Sequence, residues 1–109
     1  MHELAITQSV VDAVCERAAG RIVRSVKVRV GALTAVVPEA MRFCFELVAE
    51  GTVAEAARLD IEQRAGAAHC RGCDRDIVLP DLVLLCPCGS ADLRVTAGRE
   101  LQVVSMEVD

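Results

Sequence analysis

Six cysteines stand among the 109 residues, and four of them fall in two pairs. Cys70 and Cys73 form a C-x-x-C, and Cys86 and Cys88 form a C-x-C that begins thirteen positions after Cys73. A closed tetrahedral Zn(II) site takes two thiolate pairs of this kind, each offered from a tight turn and brought together by a short loop, so Cys70, Cys73, Cys86 and Cys88 are read as a structural zinc site. Gly72 and Gly89 let the backbone turn closely round a metal, and Pro87 fixes one backbone angle inside the second pair. A lone C-x-x-C would suggest a redox dithiol; the second pair argues against it. Cys15 and Cys44 are isolated in apolar helical stretches, where free cysteine behaves as a small core hydrophobe.

A second candidate lies at Met1-His2-Glu3. Histidine is too large a second residue for the aminopeptidase that trims initiator methionine, so the Met1 amine is expected to persist. That amine, the His2 amide nitrogen and the His2 imidazole can close adjacent chelate rings on one metal, and Glu3 can add its amide nitrogen or carboxylate. Nitrogen-rich, near-planar donor sets of this kind favour Ni(II) or Cu(II), with affinity rising as pH rises. The same residues have a plain structural reading: His2 as a solvated side chain and Glu3 as an acidic group suited to a helix N-terminus.

These groups are positioned by a small scaffold. Residues 3–19 read as a helix, with Leu4, Val11, Val14, Cys15 and Ala18 at three- and four-residue spacing and Gly20 as the stop. Residues 22–31 read as a strand in which Val26, Val28 and Val30 alternate with Lys27 and Arg29. The stretch 31–37 turns the chain, and Pro38 suits the first turn of a second helix that ends at Gly51. Residues 55–64 alternate as a second strand. The cysteine segment follows at about 67–98, with hairpin-sized strands expected at Ile77–Leu79, Val83–Leu85 and Leu93–Val95. Residues 99–108 form a last strand whose alternation slips at Val103-Val104, a pattern a bulge would produce.

Neither helix can bury its apolar stripe alone. The expected fold is therefore an α/β (α+β) domain, with two helices on one face of a three-stranded sheet and a small zinc-ribbon-like module inserted before the last strand. The expected division is an α/β domain of residues 1–66 plus 99–109 and a zinc-binding module of residues 67–98. The core must come from Val, Leu, Ile and Ala, since Phe43 and Phe45 are the only aromatics. A core that small gains from a metal staple. The net charge of −4, with scattered basic residues, points away from nucleic acid. No apolar run reaches the roughly 20 residues of a membrane span. No export signal is visible, so a cytoplasmic, reducing setting is expected, in which disulfides rarely persist.

Several stretches together resemble the HypA/HybF family of hydrogenase maturation factors. They are the opening Met1-His2-Glu3-Leu4-Ala5-Ile6, Val30-Gly31-Ala32-Leu33, Pro38 through Phe45, the two cysteine pairs with Cys86-Pro87-Cys88-Gly89-Ser90, and Glu100-Leu101 through Ser105-Met106-Glu107-Val108. The resemblance runs the length of the chain. It implies a nickel metallochaperone rather than an enzyme, which inserts Ni(II) into the large-subunit precursor of [NiFe]-hydrogenase. The implied partners are that precursor and a GTPase of the same maturation pathway, extending in some organisms to urease maturation proteins. It also implies His2 as nickel ligand with Met1 and Glu3 beside it, and Cys70, Cys73, Cys86 and Cys88 as zinc ligands. The family usually carries C-P-x-C-G at the second pair; here the pair is Cys86-Pro87-Cys88-Gly89, one residue short. Cys88 then reaches the metal with altered geometry, or His69, next to Cys70, takes a thiolate's place. The readings of other classes are a zinc-ribbon interaction module with no nickel role and an enzyme with a catalytic zinc. The enzyme would need an open coordination position and a nearby base, and four cysteines close the shell.

Overall fold

The computed structural model describes residues 2–109, with side chains from Glu3 onward. Met1 and the His2 side chain, both named above as nickel donors, lie outside the described residues. In chain order the elements are α1 (His2–Ala18), β1 (Val23–Gly31), a 3-10 turn (Ala32–Thr34), α2 (Pro38–Ala49), β2 (Arg58–Arg64), β3 (Gly66–Cys70), β4 (Arg75–Leu79), β5 (Leu93–Ala97) and β6 (Leu101–Val108). They form two three-stranded sheets, ordered β2-β1-β6 and β4-β3-β5. The expected pair of helices and three-stranded sheet are present, and the cysteine segment builds a small sheet of its own.

The chain divides into two compact units. The first comprises residues 1–28, 36–62 and 102–109; the second comprises 29–35 and 63–101. In the first, α1 and α2 pack against each other. Val10, Val11, Val14 and Ala18 of α1 are buried, as are Met41, Cys44, Phe45 and Ala49 of α2 and Val23, Val26 and Val28 of β1. This is the aliphatic core that the composition required, with Phe45 inside and Phe43 exposed. The helix ends follow from local chemistry. Pro38 opens α2 at a position where its missing N–H costs nothing. Past α1, Ala19 and Gly20 take left-handed backbone angles, φ 50° and 86°, and terminate the helix.

In the second unit, β3 is the central strand, flanked antiparallel by β4 and β5. Residues 29–35 belong to this unit: the Gly31 N–H donates to the Glu100 carbonyl and the Leu33 N–H to the Gly98 carbonyl, each at 2.8 Å. The backbones come so close here that a Cβ on Gly31 would sit 2.0 Å from the Gly98 carbonyl oxygen.

Two sequence expectations for this segment fail. A strand at Val83–Leu85 does not form: those residues lie in the loop between β4 and β5, all exposed. Pro80, just before the segment, lacks an N–H for a ladder, and the Asp81 carboxylate accepts the Val83 N–H at 2.9 Å, so the segment's first donor is used locally. The opposite error is β3, where Gly66-Ala67-Ala68-His69-Cys70 has little intrinsic strand preference and no strand was expected. Pairing on both sides, with a register shift at Ala67/Ala68, overrides that preference. At the end of the chain, Val103 and Val104 are both exposed, so the slip in alternation puts neither residue into the core.

Candidate metal centre

The first cysteine pair is held by a hairpin. In β3, Ala68 and Cys70 are buried on one face. The strand ends opposite Arg75 of β4, leaving Arg71-Gly72-Cys73-Asp74 as the connecting turn. The Asp74 N–H donates to the Cys70 carbonyl at 2.8 Å, with Asp74 in the left-handed region at φ 59°. The second pair is held by the turn Cys86–Ser90, where the Cys86 N–H donates to the Ser90 carbonyl and the Gly89 N–H to the Cys86 carbonyl, both at 2.9 Å. Gly72 is where the two turns meet: a Cβ there would lie 2.8 Å from the Ser90 Cβ and Oγ.

The turns bring all four sulfurs within 4.8 Å of one another, with Cys70 and Cys86 buried, Cys73 half-buried and Cys88 exposed. Cys70 Sγ lies 3.7 Å from Cys88 Sγ, and Cys73 Sγ lies 3.7 Å from Cys86 Sγ. A zinc tetrahedron with Zn–S bonds of about 2.3 Å has S–S edges of about 3.8 Å. The donor set therefore fits structural Zn(II) in both chemistry and spacing.

The shortened second pair still delivers Cys88. With no residue between Pro87 and Cys88, the Cys88 N–H points at Cys86 Sγ, 3.5 Å away. His69 does not take a thiolate's place. On an extended strand adjacent side chains face opposite ways, so His69 turns away from Cys70. Its Nδ1 meets Asp76, its cross-strand partner, at 2.8 Å, and its Nε2 meets Asp74 at 2.9 Å. Those two carboxylates, Asp76 foremost, hold the imidazole above its usual range. Neither aspartate stands out in the sequence until the strand register is known.

The electrostatics call for a cation. Cys70 is drawn down to about 6 chiefly by the Cys73 N–H, with help from that of Gly72. Arg75 lowers Cys73 in the same way. The Cys88 N–H favours the Cys86 thiolate too, yet burial and the sulfurs of Cys88, Cys70 and Cys73 outweigh it and push Cys86 up to about 12. Four thiolates this close cannot all ionise by themselves; a divalent metal removes the repulsion. Of the nearby arginines, Arg75 acts on Cys73, while Arg71 is paired with Asp92 at 3.0 Å. Cys15 is half-buried and Cys44 buried, and the cluster contains neither.

At the other candidate site, α1 begins at His2. The Glu3 carboxylate accepts the Val37 N–H at 3.3 Å, and the Glu3 carbonyl accepts the buried Thr7 hydroxyl at 2.5 Å. Glu3 is thus tied both to the chain entering α2 and to the next turn of its own helix. Among the described residues, no helix is long and apolar enough to cross a membrane.

An α/β unit joined in one chain to a small tetrathiolate unit defines a class of metal-handling protein, and comparison with known proteins gives the family. The family described as "Hydrogenase/urease nickel incorporation, metallochaperone, hypA" matches residues 1–108. The hydrogenase maturation factor HypA of Geobacter sp. (strain M21) is 45% identical over 111 residues, covering 100% of both chains. That of Trichormus variabilis is 43% identical over 109 residues, covering 100% of this chain and 96% of its own. The solution structure of the Ni metallochaperone HypA from Helicobacter pylori superposes with a TM-score of 0.69 at 27% identity, covering 99% of this chain and 97% of that one. The chain belongs to the HypA family of nickel metallochaperones for hydrogenase and urease nickel incorporation, which are maturation factors rather than catalysts.

Proposed function

We propose that this protein binds Ni(II) at Met1-His2-Glu3 and hands it to the large-subunit precursor of [NiFe]-hydrogenase in the cytoplasm, working with a GTPase of the same pathway. Cys70, Cys73, Cys86 and Cys88 hold a structural Zn(II) that folds their segment. The observation carrying the nickel reading is that α1 begins at His2. The N–H groups of a helix's first turn lie outside the i→i−4 ladder, which makes a helix start a suitable place for backbone nitrogen to meet a metal. The Glu3 carboxylate, held to the Val37 N–H, ties Glu3 to the chain entering α2.

The chemistry is ligand exchange. A recipient can replace a terminal amine, an imidazole and backbone nitrogens as ligands one at a time. The thiolate cluster has the opposite character, since four donors leave no coordination position for an incoming ligand.

Calorimetry with Ni(II) tests this on the chain starting at Met1, on His2→Ala, and on a chain carrying extra residues before Met1. Each change should weaken binding by at least ~100-fold, about 2.7 kcal/mol, while zinc stays near one per chain. Nickel binding indifferent to the N-terminal extension would overturn the assignment.

A further inference from the structure

We infer that Cys88 is an oxidation site, at which a hydroperoxide drives formation of a Cys70–Cys88 disulfide and expels the metal that the four cysteines hold. The inference rests on the zinc reading given above.

The cluster is asymmetric in exposure and contact. Cys70 and Cys86 are 0% and 2% exposed, Cys73 is half-buried, and Cys88 alone of the four is exposed. The asymmetry has a local cause. The Cys86–Ser90 turn is closed by the Cys86 N–H to the Ser90 carbonyl and buries its first cysteine, while Pro87, Cys88 and Gly89 form its outer arc. An oxidant arriving from solvent therefore reaches Cys88 before the more buried cysteines, and metal-bound cysteine is already in the nucleophilic thiolate form.

The structure also supplies the resolving thiol. Cys70 Sγ lies 3.7 Å from Cys88 Sγ, while the remaining two cysteines are matched to each other at the same separation. The Cys88 thiolate attacks one oxygen of the hydroperoxide, the O–O bond breaks, and the departing oxygen takes a proton from solvent. Cys88 is left as a sulfenic acid. The Cys70 thiolate then attacks the Cys88 sulfur; the S–S bond forms, the S–O bond breaks, and hydroxide leaves and is protonated to water. Two thiolates have lost two electrons, and the peroxide has gained them. Closing this bond withdraws two of the four donors, on different turns, so neither turn retains a complete pair. A second equivalent of peroxide joins Cys73 to Cys86. Dithiol reduction reverses both steps.

The test treats full-length zinc-loaded protein with one equivalent of hydrogen peroxide beside a chromogenic zinc chelator, and maps disulfides by mass spectrometry after alkylation. Cys15→Ser and Cys44→Ala remove the two thiols outside the cluster. Zinc should appear in step with a Cys70–Cys88 disulfide, and dithiothreitol plus zinc should restore the starting state. Cys88→Ser should slow zinc release at least ~10-fold; should that variant fail to fold, the mapping on the unaltered cluster decides alone. A first disulfide at Cys86–Cys88 or Cys70–Cys73, or zinc release with no disulfide, would defeat the inference and leave the zinc site standing. Purified protein that takes up no zinc would instead refute the zinc reading and this inference with it.

Discussion

The cysteine cluster and the first turn of α1 differ in how much of the chain each must recruit. The cluster joins residues 13 and 18 positions apart across two turns, and depends on the hairpin of β3 and β4 and on Gly72 seating against Ser90. The nickel site proposed at the α1 turn would draw its donors from consecutive residues and ask of the fold only that the helix start there. A site built from distant parts is rigid and shares the fate of its unit; a site built from neighbours persists as long as one helix does. On the proposed function, a carrier that keeps one metal and surrenders another would use both kinds.

The sharpest way to break this contrast is to remove the zinc. Chelation from zinc-loaded protein should abolish amide protection in β3, β4 and β5, because binding to a site absent in the unfolded chain is also folding energy, on the order of 10 kcal/mol. Protection in α1 and α2 should survive. Hydrogen exchange followed by mass spectrometry checks this, and simultaneous loss in both units would show that they are not separable in stability.

A substitution outside both the cysteine cluster and the first turn of α1 sharpens it further. Gly31→Ala places a methyl where the Gly98 carbonyl oxygen stands 2.0 Å away. The expected cost is about 3 kcal/mol, from backbone forced apart. The loss should register in the second unit by denaturant unfolding, with Ni(II) affinity by calorimetry unchanged within a factor of about two.

The smallest expected effect is confined to acid. The Glu100 carboxyl is held below the usual carboxylate range by its own N–H first, then by that of Gly98, with Arg64 and Arg29 adding to it against the opposing effect of burial. The sign follows. A depressed folded-state pKa gives stability that is present above the ordinary glutamate value and is lost as pH falls through the lower one. Glu100→Gln should flatten the acid limb of the second unit's stability below about pH 4.3. Thermal melts across pH 3 to 7 would check this; an acid limb as steep as in the unaltered chain would count against it.

Much of this molecule was legible in the residues alone. Both helices, with Pro38 opening the second, and the strands at β1, β2 and β6 follow from apolar periodicity and local stop signals, and these structures fall within a few residues of their expected ends. The donor types of the thiolate cluster and of the proposed nickel site are legible for the same reason: the spacing of Cys70, Cys73, Cys86 and Cys88 and the order Met1-His2-Glu3 are facts of the chain. Hidden from it were the features that pairing decides. Gly66–Cys70 becomes a central strand because β4 and β5 supply partners that its own residues do not favour, while Val83–Leu85, apolar enough for a strand, stays a loop in which the Asp81 carboxylate takes the Val83 N–H. Register gives His69 to Asp74 and Asp76 rather than to the metal, and seating one turn on the other carries Cys88 to within 3.7 Å of Cys70 despite the missing residue. Sequence determined which atoms could bind metal, since chemical identity and local periodicity are written residue by residue. Tertiary structure decided which of them meet, because distance between residues far apart in the chain is fixed only when strands pair and turns pack.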